Sequence, residues 1–172
     1  MSFEEILNDK TIKPKEKTQL LADWISNNTK EVNALLLYSA KSKDAIKGTC
    51  IEAFEMATKN KPEIISSSAF LFFVEALKDK APRVKWEAAR VIGNVASHHQ
   101  KNLKEATINL LSNASHTGTV VRWSSAYALG EIIKLKTSIN KTLVPKINGI
   151  LDTEEKNSIK KIYLSAIKKA SD

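Results

Sequence analysis

The feature that most constrains this chain is a pattern of twelve residues that occurs twice. Val84-Lys85-Trp86-Glu87-Ala88-Ala89-Arg90-Val91-Ile92-Gly93-Asn94-Val95 lies 37 residues before Val121-Arg122-Trp123-Ser124-Ser125-Ala126-Tyr127-Ala128-Leu129-Gly130-Glu131-Ile132. The β-branched, basic, Trp, Ala and Gly positions coincide. Fainter copies flank the pair at offsets of 38 residues, one opening on Ile46-Lys47 and the other on Ile159-Lys160. Both keep the β-branched start, the basic second position and the apolar spacing, and both lose the Trp and the Gly. End units of a repeat array are expected to diverge in this way.

Within a copy the apolar residues fall at i, i+4, i+7, i+8 and i+11, as in Val84, Ala88, Val91, Ile92 and Val95. That spacing makes one stripe of an α-helix. A second helical segment precedes each copy, over Lys30–Ala40, Glu63–Lys78, Lys101–Asn113 and Lys141–Leu151, with Pro62 just before one of them. Phe3–Leu7 and Lys15–Asn27, with Pro14 at its start, read as a divergent first hairpin. The expectation is an all-α chain of about five antiparallel hairpins in one domain, 1–172. The divergent hairpin occupies 1–28 and the repeats approximately 29–60, 61–99, 100–138 and 139–172.

The two strong copies resemble the second-helix signature of HEAT repeats, of the short kind also found in bilin-lyase-like proteins. The resemblance is strongest over residues 79–134 and weakest before residue 30. It implies a right-handed α-solenoid whose second helices line a concave face. HEAT families often carry an Asp before the signature. Asp79 fits and Glu154 is a variant of it, whereas His116 and Thr117 occupy that place in the third unit. Periods of about 34 and 33 residues set tetratricopeptide and ankyrin arrays apart.

Charge narrows the partner class. The net charge is +8, and residues 101–172 hold 12 basic against 6 acidic side chains. A basic domain attracts polyanions. Of the 27 cations only Arg83, Arg90 and Arg122 are arginines, the residue suited to bidentate phosphate and guanine contacts. The balance therefore favours a solvated lysine surface. The acid-bearing start of the chain lacks a signal peptide's basic region, and no run reaches the roughly 18 apolar residues of a membrane span. A cytoplasmic monomer without membrane contact is expected.

Three groups of side chains compete for a functional role. Glu87, Arg90 and Asn94 fall on one ridge of their helix, which is read as exposed, and their equivalents in neighbouring copies include Glu52, Tyr127 and Glu131. This mixed surface suits a protein or peptide partner. Lys47, Lys85, Arg122 and Lys160 recur once per unit. The HEAT resemblance implies that they pair with Asp79, Glu154 or turn carbonyls, while a phosphate-tracking ladder is the alternative. Trp86 and Trp123 are read as packing between repeats beside Ala89, Gly93, Ala126 and Gly130, with aromatic platforms for a base or peptide as the competing role.

Catalysis lacks a motif. Cys50 aligns with Ala88 and Ser125 as a small core residue; His98 and His99 are placed at a solvent-facing helix end. No phosphate loop, nucleophile elbow or zinc pattern occurs, so neither a metal nor a cofactor is expected. The favoured function is a non-catalytic protein- or peptide-binding scaffold using Glu52, Glu87, Arg90, Asn94, Tyr127 and Glu131. Nucleic-acid binding through Lys85, Arg122, Lys160, Trp86 and Trp123 is the alternative. Its enzymatic form, which HEAT-like folds also supply, is a DNA alkylation-repair glycosylase.

Overall fold

The computed structural model describes residues 1–172. Ten α-helices follow one another with no strand: α1 (Phe3–Asn8), α2 (Pro14–Asn27), α3 (Val32–Lys41), α4 (Asp44–Thr58), α5 (Ser67–Ala76), α6 (Pro82–Val95), α7 (Leu103–Asn113), α8 (Thr119–Lys134), α9 (Asn140–Thr153) and α10 (Asn157–Ser171). Consecutive helices pair into five hairpins.

Local sequence sets the helix starts. Ser2 and Glu5 form a reciprocal capping box on α1, with Glu5 N–H donating to Ser2 Oγ at 3.2 Å and Ser2 N–H to Glu5 Oε2 at 2.7 Å. Pro14 and Pro82 open α2 and α6, where a missing N–H costs nothing. Helix α5 starts later than the expected Glu63. Pro62–Ile64 forms a 3₁₀ turn, and Ser66 caps the helix by accepting from Ala69 N–H at 3.2 Å.

The even-numbered helices pack directly on one another in series, while α3, α5 and α7 touch each other sparsely and lean on their own hairpin mates. The even-numbered helices α2, α4, α6, α8 and α10 thus form the closely packed inner layer and α3, α5 and α7 belong to the looser outer one. One cluster of 42 buried residues runs from Phe3 to Ala166 through all five hairpins, which makes the array a single continuous core. Val84, Ala88, Val91, Ile92 and Val95 are all buried in it, as the spacing predicts. Cys50 lies in that core too, and burial pushes its thiol up to about 12.

One histidine departs from expectation. His98 is exposed, but His99 is buried, stacked on Phe70 at 4.5 Å with its Nε2 donating to the Ile65 carbonyl at 2.9 Å. Burial holds its pKa below the ordinary histidine value.

Candidate functional site

Close stacking of the inner helices requires small residues where they cross. A Cβ at Gly93 would lie 2.5 Å from Tyr127 Cε1, so α8 seats a ring where α6 has no side chain. Gly130 meets Ile162 and Ala166 at 3.4 Å, and Gly48 meets the Arg83 stem at 3.0 Å. Ala89, Gly93, Ala126 and Gly130 are buried in these crossings, as expected. The tryptophans beside them are not. Trp123 is 39 % exposed and Trp86 is partly exposed, so both keep part of their surface open instead of vanishing between repeats. Trp123 lies parallel to Tyr127 at a centroid distance of 6.2 Å.

The basic column shows why the inner helices hold register. The fourth residue of every inner helix is a cation: Lys17, Lys47, Lys85, Arg122 and Lys160. Lys47 Nζ bonds Asp79 Oδ2 at 2.9 Å, and Arg122 Nε bonds Glu154 Oε2 at 2.9 Å, each reaching into the turn of the following hairpin. Lys85 donates to the Leu77 carbonyl and to Asn113 Oδ1, and Arg122 also reaches the carbonyls of His116 and Thr117. Lys17, which the repeat alignment missed, donates to the carbonyls of Leu7 and Asp9 at 2.8 Å.

The acceptors are prepared in turn. Asp9, Asp79 and Glu154 accept from the N–H two residues on, at 2.7 to 2.9 Å, and His116 Nδ1 does so from Gly118 at 2.9 Å. The histidine thus fills the Asp role in its unit. The Arg122 guanidinium beside Glu154 holds that carboxyl below the ordinary carboxylate range. Asp79 is lowered too: although its burial acts the other way, the Ala81 N–H and the Lys47 ammonium outweigh it. Lys85 and Arg122 are therefore engaged in bonds that a phosphate would have to displace, while Lys160, in the last hairpin, makes no side-chain bond.

The ridge expected to be exposed is instead the seam between inner helices. Glu87 is only 4 % exposed. Its Oε1 accepts from Trp86 Nε1 at 2.8 Å, and its Oε2 meets Arg90 Nη1 at 3.3 Å. The other side of the Arg90 guanidinium lies 2.7 Å from Glu55 Oε1, whose partner on the solvent side is Lys59 at 3.0 Å. Asn94 donates to the Glu55 carbonyl and Thr58 Oγ1, both at 3.0 Å, and accepts from the Tyr127 hydroxyl at 2.6 Å. A polar ladder thus links α4, α6 and α8. A ridge read on one helical wheel becomes a seam because the neighbouring helix crosses over it.

Glu55 is the member that the repeat alignment passed over. It stands in the register of Gly93 and Gly130, where a carboxylate can be buried only with a cation opposite, and Arg90 is that cation. Burial pushes the Glu87 carboxyl above its ordinary value against the pull of Trp86 and Arg90, with Glu52 and Glu55 adding to the rise. Burial also raises Tyr127, with Glu131 and Glu55 contributing. The more open members are Glu52, about a third exposed and 2.6 Å from Arg83 Nη2, and Glu131, about a third exposed and paired with Lys134 of its own helix. Beyond them, Lys15, Glu16, Gln19 and Met56 line a groove of about 700 Å³ on α2 and α4.

Comparison with known proteins gives a fold. No family model matches the chain, and no curated protein is similar to it in sequence. Among solved structures it is similar to a designed armadillo repeat protein in complex with the peptide (KR)4, with a TM-score of 0.74, 17 % identity, and coverage of 98 % of this chain and 80 % of that one. A computationally designed armadillo repeat protein for modular peptide recognition gives a TM-score of 0.71 at 16 % identity, covering 97 % and 80 %. The complex of CpcE and CpcF of phycocyanin lyase from Nostoc sp. PCC7120 gives 0.69 at 15 % identity, covering 95 % and 96 %. The chain has the all-α solenoid fold of HEAT- and armadillo-type repeats, as the Val84–Gly93 and Val121–Gly130 signatures imply.

Proposed function

We propose that this protein is a non-catalytic scaffold that receives a peptide or a peptide-like segment of another protein on its concave face. The observation that carries the proposal is the combination there of partly exposed Trp86, Trp123 and Tyr127 with Val120, 51 % exposed, over a floor braced by buried ion pairs. Apolar surface left open beside fixed polar groups is what a recognition site needs, and a floor already held rigid costs little ordering on binding. Of the designed armadillo proteins similar in fold, one is in complex with the peptide (KR)4 and another is computationally designed for modular peptide recognition, which supports the same class of partner.

The burial of the ladder divides the roles of the six residues. Glu52, Tyr127 and Glu131 offer direct contacts, Arg90 offers the exposed part of its guanidinium, and Glu87 and Asn94 hold the others in place. Charge reversal at Glu87 and Arg90 would break the fold along with the site. The test is instead a selection from a random peptide library on wild type, Trp123→Ala and Leu71→Ala, the last on the outer layer and 52 % exposed. Wild type and Leu71→Ala should enrich a shared consensus that folded Trp123→Ala fails to enrich. Equal enrichment by Trp123→Ala, or none by any of the three, would reject the concave site.

A further inference from the structure

Inner helices meet at fixed places along their length. The twelfth residue of one lies against the tenth of the next: a Cβ at Gly93 would be 3.2 Å from Ala128 Cα, and one at Gly130 would be 3.4 Å from Ala166 Cβ. The eighth residue lies one turn before the twelfth on this forward face, and Ile51, Ala89 and Ala126 are all buried there. The tenth residue holds the backward face, where Ala53, Val91, Ala128 and Ala166 are buried. Within residues 1–172 no inner helix follows α10 or precedes α2, and the same positions open to solvent. On α10 they are Leu164, 55 % exposed, and Lys168; on α2 the tenth residue is Asp23.

The two open faces carry opposite charge in matching register. Lys168 makes no side-chain bond, and Asp23 accepts only from Gln19 at 3.1 Å, with no cation paired to it. The register column breaks off at the same two ends. Lys47, Lys85 and Arg122, each fourth in its helix, reach Asp79, Asn113 and Glu154 of the following hairpin. Lys160 is the fourth residue of α10 and has no such acceptor. Asp9 lies in the turn before α2 and accepts from Thr11 N–H through Oδ1 at 2.7 Å, as Asp79 Oδ1 does from Ala81 N–H while its Oδ2 takes Lys47. No cation pairs with the Asp9 carboxylate, since Lys17 bonds the main-chain carbonyl instead. Each end therefore holds one unmatched half of a pair that the interior completes. Lys161 falls at the crossing where Gly48 meets Arg83, opposite Lys15 and Glu16, one charge of each sign.

We infer that the occupant of the open α10 face is the α2 face of a second copy of this chain. The copies stack head to tail in the register of the interior, with Lys168 on Asp23, Lys160 on Asp9 and Leu164 covered. The crossing of α4 and α6 already uses this device: Glu55, twelfth in its helix, meets Arg90 at 2.7 Å. A contact between unlike faces leaves each copy with one face still open, so assembly continues past a dimer unless it closes into a ring. Exposed ion pairs contribute little each, so the association is weak. It goes beyond the proposed function and does not rest on it.

The test is analytical ultracentrifugation of the full chain from about 1 μM to about 1 mM at about 0.15 M salt. Mass should rise with concentration and pass that of a dimer. Lys168→Glu and Asp23→Lys should each weaken assembly about tenfold or more, because like charges then face each other. An equimolar mixture of the two variants should restore it, since every contact between unlike copies again joins opposite charges. Lys104→Glu, on outer helix α7 and exposed, makes the same change in net charge as Lys168→Glu and should behave as wild type. Carbodiimide coupling, which joins a lysine amine to a carboxylate as an amide with loss of water, should link Lys168 to Asp23 and Lys160 to Asp9 in wild type. Helices α2 and α10 are four inner-helix steps apart, roughly 32 to 40 Å, so these links form only between copies. A mass that stays at one chain up to about 1 mM, assembly that stops at a dimer, single variants that assemble like wild type, or a mixture that restores nothing would overturn the inference and make the charged end faces caps.

Discussion

Adding one methyl group at each of three glycines should separate the crossing between inner helices from mere helix propensity. In an exposed helix, Gly→Ala stabilises by about 0.5 to 1 kcal/mol, because glycine surrenders more backbone freedom on folding. A methyl at Gly149 would meet nothing within 4 Å, so this variant should show that gain outright. At Gly130 the new methyl would rest 3.4 Å from Ile162 and Ala166, an ordinary contact, so the gain should be largely kept. At Gly93 it would sit 2.5 Å from Tyr127 Cε1 and 3.2 Å from the Ala128 Cα. The Tyr127 ring cannot retreat freely, since its hydroxyl is bonded to Asn94 at 2.6 Å and its face lies along Trp123. Overpacking of about 1 to 3 kcal/mol plus a lost hydrogen bond of about 0.5 to 1.5 kcal/mol outweighs the propensity gain. Gly93→Ala should therefore be destabilised by about 1 to 3 kcal/mol, which is a fall in Tm of several degrees for a chain of this size. Thermal melts followed by circular dichroism give the order Gly149→Ala, Gly130→Ala, wild type, Gly93→Ala. A Gly93→Ala melt at or above wild type would refute the close crossing of α6 and α8.

Arg90→Ala leaves Glu55 and Glu87 buried without their shared cation, and chemical denaturation should show a loss of about 3 to 5 kcal/mol; a loss under about 1 kcal/mol would mean the ladder is not a structural brace. The carboxyls of Asp79 and Glu154 are lowered in the fold, so their contribution is present above their ordinary values of 3.8 and 4.5 and disappears as pH falls through the lower folded values. Glu87 has the opposite sign: its folded value is raised, so ionisation at neutral pH costs stability. The stability of Glu87→Gln relative to wild type should accordingly improve as pH rises from acid to neutral, and a difference that is flat or falls with pH in denaturation curves would contradict the assignment. The Tyr163 hydroxyl is fully buried with no hydrogen-bond partner, so Tyr163→Phe should raise stability by about 1 kcal/mol, and a marked loss in a thermal melt would mean that the hydroxyl is satisfied.

The stacking unit was legible because its requirements are local and periodic. A Trp, an Ala and a Gly at fixed helical offsets recur at 37 and 38 residues, and crossings of that kind need just those sizes. The cations of the register column were legible for the same reason, except Lys17, which lies 30 residues before Lys47, outside the period of the later units. What one helix alone could not reveal is which polar residues its neighbour covers. Glu87 and Arg90 look solvent-facing on their own wheel, yet α4 brings Glu55 against them. His99 was misplaced likewise, because Phe70 and the Ile65 carbonyl reach it from the preceding hairpin. The tryptophans depart in the opposite direction: their size implies burial, whereas Trp123 is 39 % exposed and Trp86 partly so, beside small residues that bring the helices close.

The chain contains three tryptophans, and they divide cleanly between site and scaffold. Trp86 and Trp123 are partly exposed on α6 and α8, while Trp24 packs edge-on against Phe3 at 5.2 Å in the first hairpin. Heteronuclear NMR of the indole N–H groups, recorded while a library-selected peptide is titrated, reads all three at once. Progressive shifts of the Trp86 and Trp123 signals with Trp24 unmoved are the predicted result. Binding that leaves Trp86 and Trp123 unshifted, or moves Trp24 equally, would contradict recognition on the concave face.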